Sequence, residues 1–162
     1  VSVTVEAARV ERGDDEYVDA AWDLKERIRE QEGMLRQRRR FFENAYRRST
    51  VYLYHDRGGR ESTLVGFAAV RRDGYMLFLA VAPAYRGEGF GKRLIARVLK
   101  DHDSVSCHAR TTNRAAMQFY QHVGFEIVRR IDSYYEDGGD AYYLSLGDDD
   151  GIIDRLSDLL RP

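Results

Sequence analysis

A period-two alternation opens the chain. Val1-Ser2-Val3-Thr4-Val5 puts every second side chain on one face, which predicts a strand over 1–10. Two stretches of 3–4-residue apolar spacing follow and predict helices over 15–31 and 35–48. Aromatic and β-branched runs then predict strands over 50–55, 63–71 and 75–82. The last holds the apolar run Tyr75-Met76-Leu77-Phe78-Leu79-Ala80-Val81. Leu94, Ile95, Val98 and Leu99 return to helical spacing over 90–101. A strand over 104–109, a helix over 113–122 and strands over 125–132 and 140–146 complete the order. Behind Asp148-Asp149-Asp150, the apolar spacing of Ile152, Ile153, Leu156, Leu159 and Leu160 predicts a last amphipathic helix. Turns are marked by Asp56-Arg57-Gly58-Gly59, Arg72-Asp73-Gly74 and Glu136-Asp137-Gly138-Gly139. There is no internal repeat and no long linker. The expectation is one α/β (α+β) domain over 1–147, a mixed sheet with helices on both faces, followed by an acidic tail over 148–162.

Composition narrows this only a little. A chain of 162 residues suits one domain with its own core. No apolar run reaches the roughly 18 residues of a membrane span, and no charged-then-apolar leader is present. The cytoplasm is therefore the expected location, without a membrane partner. Cys107 is the single cysteine, which excludes an intrachain disulfide and a multi-cysteine metal site and reads as a buried thiol in a strand. A net charge of −1 gives no general case for nucleic acid. Arg36, Arg38, Arg39, Arg40, Arg47 and Arg48 crowd the second helix. They read as a solvated face around the apolar anchors Phe41, Phe42 and Tyr46, or as a basic rim guiding an acidic substrate or cofactor phosphates.

The chemistry concentrates downstream. Arg86-Gly87-Glu88-Gly89-Phe90-Gly91-Lys92 lies between the apolar strand and a helix. Glycines let a backbone come close to a ligand, and the free N–H groups of a first helical turn attract anions. A nucleotide P-loop is disfavoured, because Gly91-Lys92 is followed by Arg93 rather than Ser or Thr. His108, then Asn113 with Tyr120, then Gly124-Phe125 follow in order. Asn113 precedes a helix and reads as its N-cap.

In that order the chain resembles the GNAT superfamily of acetyl-CoA-dependent N-acetyltransferases, clearly from about residue 63 to 146. Arg86-x-x-Gly89-x-Gly91 is similar to the family's pyrophosphate loop. Asn113-Arg114-Ala115-Ala116-Met117-Gln118-Phe119-Tyr120 with Val123-Gly124-Phe125 is similar to its second motif. The resemblance implies a GNAT fold with a central, mostly antiparallel seven-stranded sheet. It also implies a cofactor site made by Leu79, Ala80 and Val81 on the pantetheine arm, by Arg86, Gly87, Glu88, Gly89, Phe90, Gly91 and Lys92 on the pyrophosphate, and by Asn113 and Tyr120. Tyr120 would donate a proton to the departing thiolate, and no metal is implied.

Val105-Ser106-Cys107-His108-Ala109-Arg110 resembles the strand that carries a general base, acting through water, in N-terminal acetyltransferases. Tyr75 aligns with a catalytic tyrosine of one branch, and the base is left open between His108 and Tyr75. An α-amine of pKa about 8 suits a histidine near 6.5 better than a lysine amine near 10.4, which is roughly 3 kcal/mol more uphill. Ser133-Tyr134-Tyr135-Glu136-Asp137-Gly138-Gly139-Asp140-Ala141-Tyr142 resembles the hairpin that covers a peptide N-terminus, so Tyr75, Tyr134 and Tyr135 are the expected substrate contacts. The ribosomal-protein-alanine and archaeal branch is the nearest in pattern. Gln31-Glu32-Gly33-Met34-Leu35 departs from it by lacking the Pro/aromatic signature of the first-residue pocket, which leaves the first residue open. The expected reaction is direct acetyl transfer to a primary amine, preferably a protein N-terminus. A small amine (a polyamine, amino acid or aminoglycoside) and a non-catalytic acyl-CoA sensor are the rival readings, and a homodimer is left open.

Overall fold

The computed structural model describes residues 4–147. They form β1 (Val5–Val10), α1 (Val18–Glu32), α2 (Arg39–Arg47), β2 (Thr50–Asp56), β3 (Thr63–Val70) and β4 (Met76–Val81), then α3 (Phe90–Asp101), β5 (Ser104–Arg110), α4 (Arg114–Val123), β6 (Glu126–Ile131) and β7 (Ala141–Gly147). A short 3₁₀ turn, Pro83–Tyr85, leads from β4 towards α3. The predicted helix over 152–160 lies outside the described residues. Elsewhere the predicted order holds, with boundaries that move by up to four residues. The second helix starts at Arg39 rather than 35, because Gly33 caps α1 in the left-handed region and Leu35 also has a positive φ of 57°. Two left-handed residues so close together cannot continue a right-handed helix.

The seven expected strands are present as four plus three. One antiparallel sheet runs β1-β2-β3-β4 and the other β5-β7-β6. They are joined at a single parallel bridge, Tyr75 to Ser106, where the Ser106 N–H donates to the Gly74 carbonyl at 3.1 Å. Past that bridge β4 and β5 diverge. The facing edges of these two strands have no strand partner among the described residues.

Strand alternation divides the core between the two faces of the larger sheet. Val51, Leu53, Phe67, Phe78 and Ala80 meet Leu24, Ile28, Phe42 and Tyr46 of α1 and α2. Tyr52, Tyr54, Ala68 and Met76 meet Leu94, Ile95, Val98 and Leu99 of α3, and that cluster continues into Val105, Leu144 and Leu146 of the smaller sheet. Helices thus cover both faces, as expected. Phe42 is the hub of the first cluster, with its ring 4.8 Å from Phe78, 5.6 Å from Trp22 and 6.1 Å from Phe67. Its neighbour Phe41 is not the predicted anchor. One position along a helix turns a side chain by about 100°, and Phe41 is 58% exposed.

Lys25 is the unexpected core residue, fully buried on α1. Its ammonium donates to the Gln37 carbonyl and to Glu26 at 3.0 Å, and it lies 4.6 Å from the Trp22 ring centroid. Burial lowers its pKa. It ties α1 to the 33–38 loop, which borders the cleft described below.

Gly66 sits where β3 and β4 come closest. A Cβ there would stand 2.8 Å from the Ala80 carbonyl oxygen, and backbone cannot swing aside as a side-chain end can. Gly66→Ala is expected to cost about 1–3 kcal/mol by overpacking. Urea unfolding should show this as a lower midpoint at unchanged m-value.

Candidate active site

The divergence of β4 and β5 opens a cleft of about 1400 Å³. Met76–Val81 line one wall and Cys107–Arg110 the other. The loop before α3, the N-terminal part of α4, the 33–38 loop and the Tyr134–Asp137 hairpin close the rest. Of the predicted site residues only Glu88 does not line it.

At one end stands the N-terminus of α3. Gly87 and Gly89 have φ of 82° and 86°, a conformation other residues adopt only with strain, and this turns the chain so that the first N–H groups of the helix face outward. The approach to this turn is fixed at three points. The Ala82 N–H donates to the Val65 carbonyl at 2.8 Å, the Tyr85 hydroxyl donates to Asp56 at 2.8 Å, and the Arg86 guanidinium grips Glu32 at 2.5 and 2.8 Å. The charge of Arg86 is therefore already paired, and that pairing holds Glu32 ionised below its usual range. An anion here would meet the helix terminus and Lys92.

Deeper in the cleft, Asn113 caps α4, its Oδ1 accepting from the Ala116 N–H at 3.1 Å. Tyr120 stands on α4, edge-on to Phe119 and Phe125 at 5.3 and 5.1 Å and beside the Cys107 thiol. Burial raises the Tyr120 pKa well above 10, with Cys107 adding to it. The same desolvation pushes the Cys107 thiol up to about 12, so this pocket disfavours thiolate strongly.

The other end is aromatic. The Tyr75 hydroxyl lies 2.6 Å from His108 Nδ1, Tyr134 stacks flat on the imidazole at 4.4 Å, and Tyr143 flanks it at 5.0 Å. Burial, then Arg129, lowers the His108 pKa, and burial raises that of Tyr75. At neutral pH both are uncharged, and they share one hydrogen bond. The two residues between which the sequence left the base open are thus in direct contact.

A strap crosses above them. Asp137 of the hairpin accepts from Arg110 at 3.0 Å and from Arg36 of the 33–38 loop at 3.3 Å, and the Arg110 guanidinium lies 4.0 Å from the Tyr135 ring centroid. The opposed cations hold Asp137 below the ordinary carboxylate range, Arg110 first.

Several residues of this geometry escaped sequence reasoning. Arg36 was read only within a basic face or rim and Arg110 only within a strand, Glu32 had no role, and their partners lie 27 to 101 positions away. Cys107 was legible as a buried thiol but not as a wall of the cleft. The available signal was its place beside His108, since adjacent strand residues point to opposite faces and only a strand at the edge of a cleft presents both.

Comparison with known proteins agrees with this architecture. The model of the acetyltransferase (GNAT) domain matches residues 47–127, and the chain belongs to that family. N-alpha-acetyltransferase 30 of Saccharomyces cerevisiae is 28% identical over 120 residues, which covers 66% of this chain and 68% of that one. N-alpha-acetyltransferase RimI of Mycobacterium tuberculosis is 39% identical over 90 residues, 49% of this chain and 57% of that one. An uncharacterised Mycobacterium leprae protein is 38% identical over 92 residues, only 26% of its own length. The chain thus spans from about a quarter to two thirds of these relatives. Among solved structures, the ribosomal-protein-S18-alanine N-acetyltransferase of Escherichia coli superposes with a TM-score of 0.70 at 20% identity, covering 88% of this chain and 93% of that one. Ard1 from Thermoplasma volcanium also reaches 0.70, at 22% identity over 90% and 98%. No helix among the described residues is long and apolar enough to cross a membrane.

The buried imidazole makes a direct prediction. His108 is expected to titrate below 6.5 in the folded protein, read by nitrogen-15 NMR of the ring. A value at or above 6.5 would show that the stacked aromatic environment does not desolvate it.

Proposed function

We propose that the chain is an acetyl-CoA-dependent N-acetyltransferase acting directly on the N-terminal α-amine of a polypeptide in the cytoplasm. The observation that carries this reading is the meeting of two unlike half-sites in one cleft. One is a helix N-terminus with a protonated phenol set among groups that disfavour thiolate. The other is a neutral imidazole–phenol pair beneath a bridged hairpin. N-alpha-acetyltransferases among the sequence relatives support the choice of acceptor.

The residues fit a coenzyme A thioester. The outward N–H groups of α3 and Lys92 suit its pyrophosphate, and the unpaired edge at Leu79, Ala80 and Val81 suits the amide groups of its pantetheine arm. Asn113, which lines the cleft while capping α4, would border that arm. When bound, acetyl-CoA supplies an acetyl group activated as a thioester. The chain's own groups manage two protons. As the acceptor nitrogen bonds to the acetyl carbon and the carbon–sulfur bond breaks, the amine must lose a proton and the sulfur must gain one. His108 and Tyr75 take the first as a unit. Either Nε2 accepts it, or the Tyr75 oxygen accepts it while passing its own proton to Nδ1. Tyr120 supplies the second. A phenol of raised pKa remains a competent donor because the same pocket makes a thiolate unusually basic, as Cys107 reports at about 12.

Tyr134 and Tyr135 suit the backbone of an extended N-terminus, and the Arg36–Asp137–Arg110 bridge bounds the space above it. Every residue in this account comes from one chain, so a homodimer is not required.

Mass spectrometry after incubation with acetyl-CoA and a peptide bearing a free N-terminus and an internal lysine should find acetyl on the α-amine. Acetyl on lysine alone, or on free amines but not peptides, would contradict the acceptor class. Turnover by Tyr120→Phe should fall at least about 100-fold, the scale of a lost general acid, with the KM for acetyl-CoA within about twofold. An unchanged kcat would remove Tyr120 from proton transfer. His108→Ala should lower kcat/KM by a similar factor and abolish the acid limb below pH 6.5; survival of that limb would assign it to another group.

A further inference from the structure

α2 presents Arg38, Phe41, Asn44, Ala45 and Arg48 along one helical stripe, the spacing of residues that share a face. Phe41 is an exposed phenylalanine on that stripe, although its cost in water would be lower inside the core. Phe41 and Leu77 line the main cleft and also a smaller groove of about 210 Å³, whose other walls are Asn44, Ala45, Arg48 and Arg71. The groove therefore continues the acceptor half of the cleft, apolar at its floor and cationic at its far end.

The charges there are sorted. Arg39 and Arg47 are neutralised by Asp19, Asp15 and Glu43, and Arg36 by Asp137. Arg71 is gripped by Asp73 and stacks 4.5 Å from the Tyr75 ring centroid. Arg38 and Arg48 make no ion pair among the described residues. Of these two, Arg38 lines the main cleft and Arg48 its extension.

Resting on the proposed acetyltransferase function, we propose that this groove is the subsite for the acceptor's downstream residues and selects N-termini with an apolar and then an acidic side chain a few positions after the first. The reach is consistent. Arg71 lies over the face of the Tyr75 ring, 4.5 Å from its centroid, and the Tyr75 hydroxyl reaches His108 Nδ1 at 2.6 Å. Only one side chain therefore separates Arg71 from the imidazole, a span that an extended chain at roughly 3.3 Å per residue crosses in about two to three residues. An acidic side chain a few positions after the first then faces Arg48, at the groove end that Arg71 also lines while paired with Asp73, and Phe41 and Leu77 cover the intervening apolar one. A nucleic acid fits less well, since the groove floor is aliphatic and aromatic and Arg36, Arg39 and Arg47 are already paired with carboxylates.

The test uses three peptides identical at their first two residues, with Glu-Glu, Gln-Gln or Lys-Lys at positions four and five. At low salt the acidic peptide is expected to show a KM about tenfold below the neutral one and further below the basic one, the differences shrinking as salt is raised. Arg48→Glu should reverse the order of the acidic and basic peptides. Equal KM values for all three in the native protein, or a variant that weakens all three alike, would overturn the proposal while leaving α-amine transfer intact. Absence of α-amine acetylation on every peptide would instead overturn the function on which it rests.

Discussion

After a single bridge, Tyr75 to Ser106, β4 and β5 run in the same direction but no longer together, and the chemistry of the molecule occupies the space between them. A backbone edge without a partner is costly when buried and is usually covered or closed. Here the two free edges face each other across a cleft that opens towards the C-terminal ends of two parallel strands, where α/β sheets bind ligands. The glycine turn that starts α3 lies at the mouth of that opening because β4 leads into it within a few residues. His108 and Tyr120 reach the same cleft from its other wall, one on β5 and the other on the helix that follows it.

Burial then sets the character of the site. Tyr75 and Tyr120 are held protonated and His108 is held neutral, each with desolvation as the largest cause. The fixed charges stand at the rim, where Arg86 meets Glu32 and Arg36 and Arg110 meet Asp137. A neutral interior with a charged border suits a reaction whose net result is to pass one proton from nitrogen to sulfur. Neither the proposed base nor the proposed acid has to begin as an ion, and the ion pairs stay at the rim, away from both.

Order and type of the elements were legible because local periodicity carries them. β4 reads as an unbroken apolar run, α3 as a stripe of Leu94, Ile95, Val98 and Leu99, and Asn113 as an N-cap that does cap α4. Periodicity does not encode pairing between elements, so the split of seven strands into four and three appears only in three dimensions. Helix phase is read as poorly as pairing. Phe41 and Phe42 are equally apolar in sequence, yet one is exposed and the other is the centre of a core cluster. Motif residues such as His108 and Tyr120 were found because they recur in a known order. The pairings of Glu32, Arg36 and Arg110 were not, because a surface carboxylate or guanidinium acquires its partner only from a part of the chain distant in sequence. The sequence also set His108 and Tyr75 as competitors for one role, whereas the structure brings them into contact at 2.6 Å.

The account depends most on the claim that the free edge of β4 and the first turn of α3 together hold the thioester co-substrate. Amide hydrogen exchange with and without acetyl-CoA measures this directly, since a bound ligand slows exchange at the N–H groups it covers. The account predicts new protection confined to Leu77–Val81 and Gly87–Lys92, with β1 and β2 unaffected. Protection of the α3 turn without any change along β4, or binding that leaves both segments exchanging freely, would contradict it.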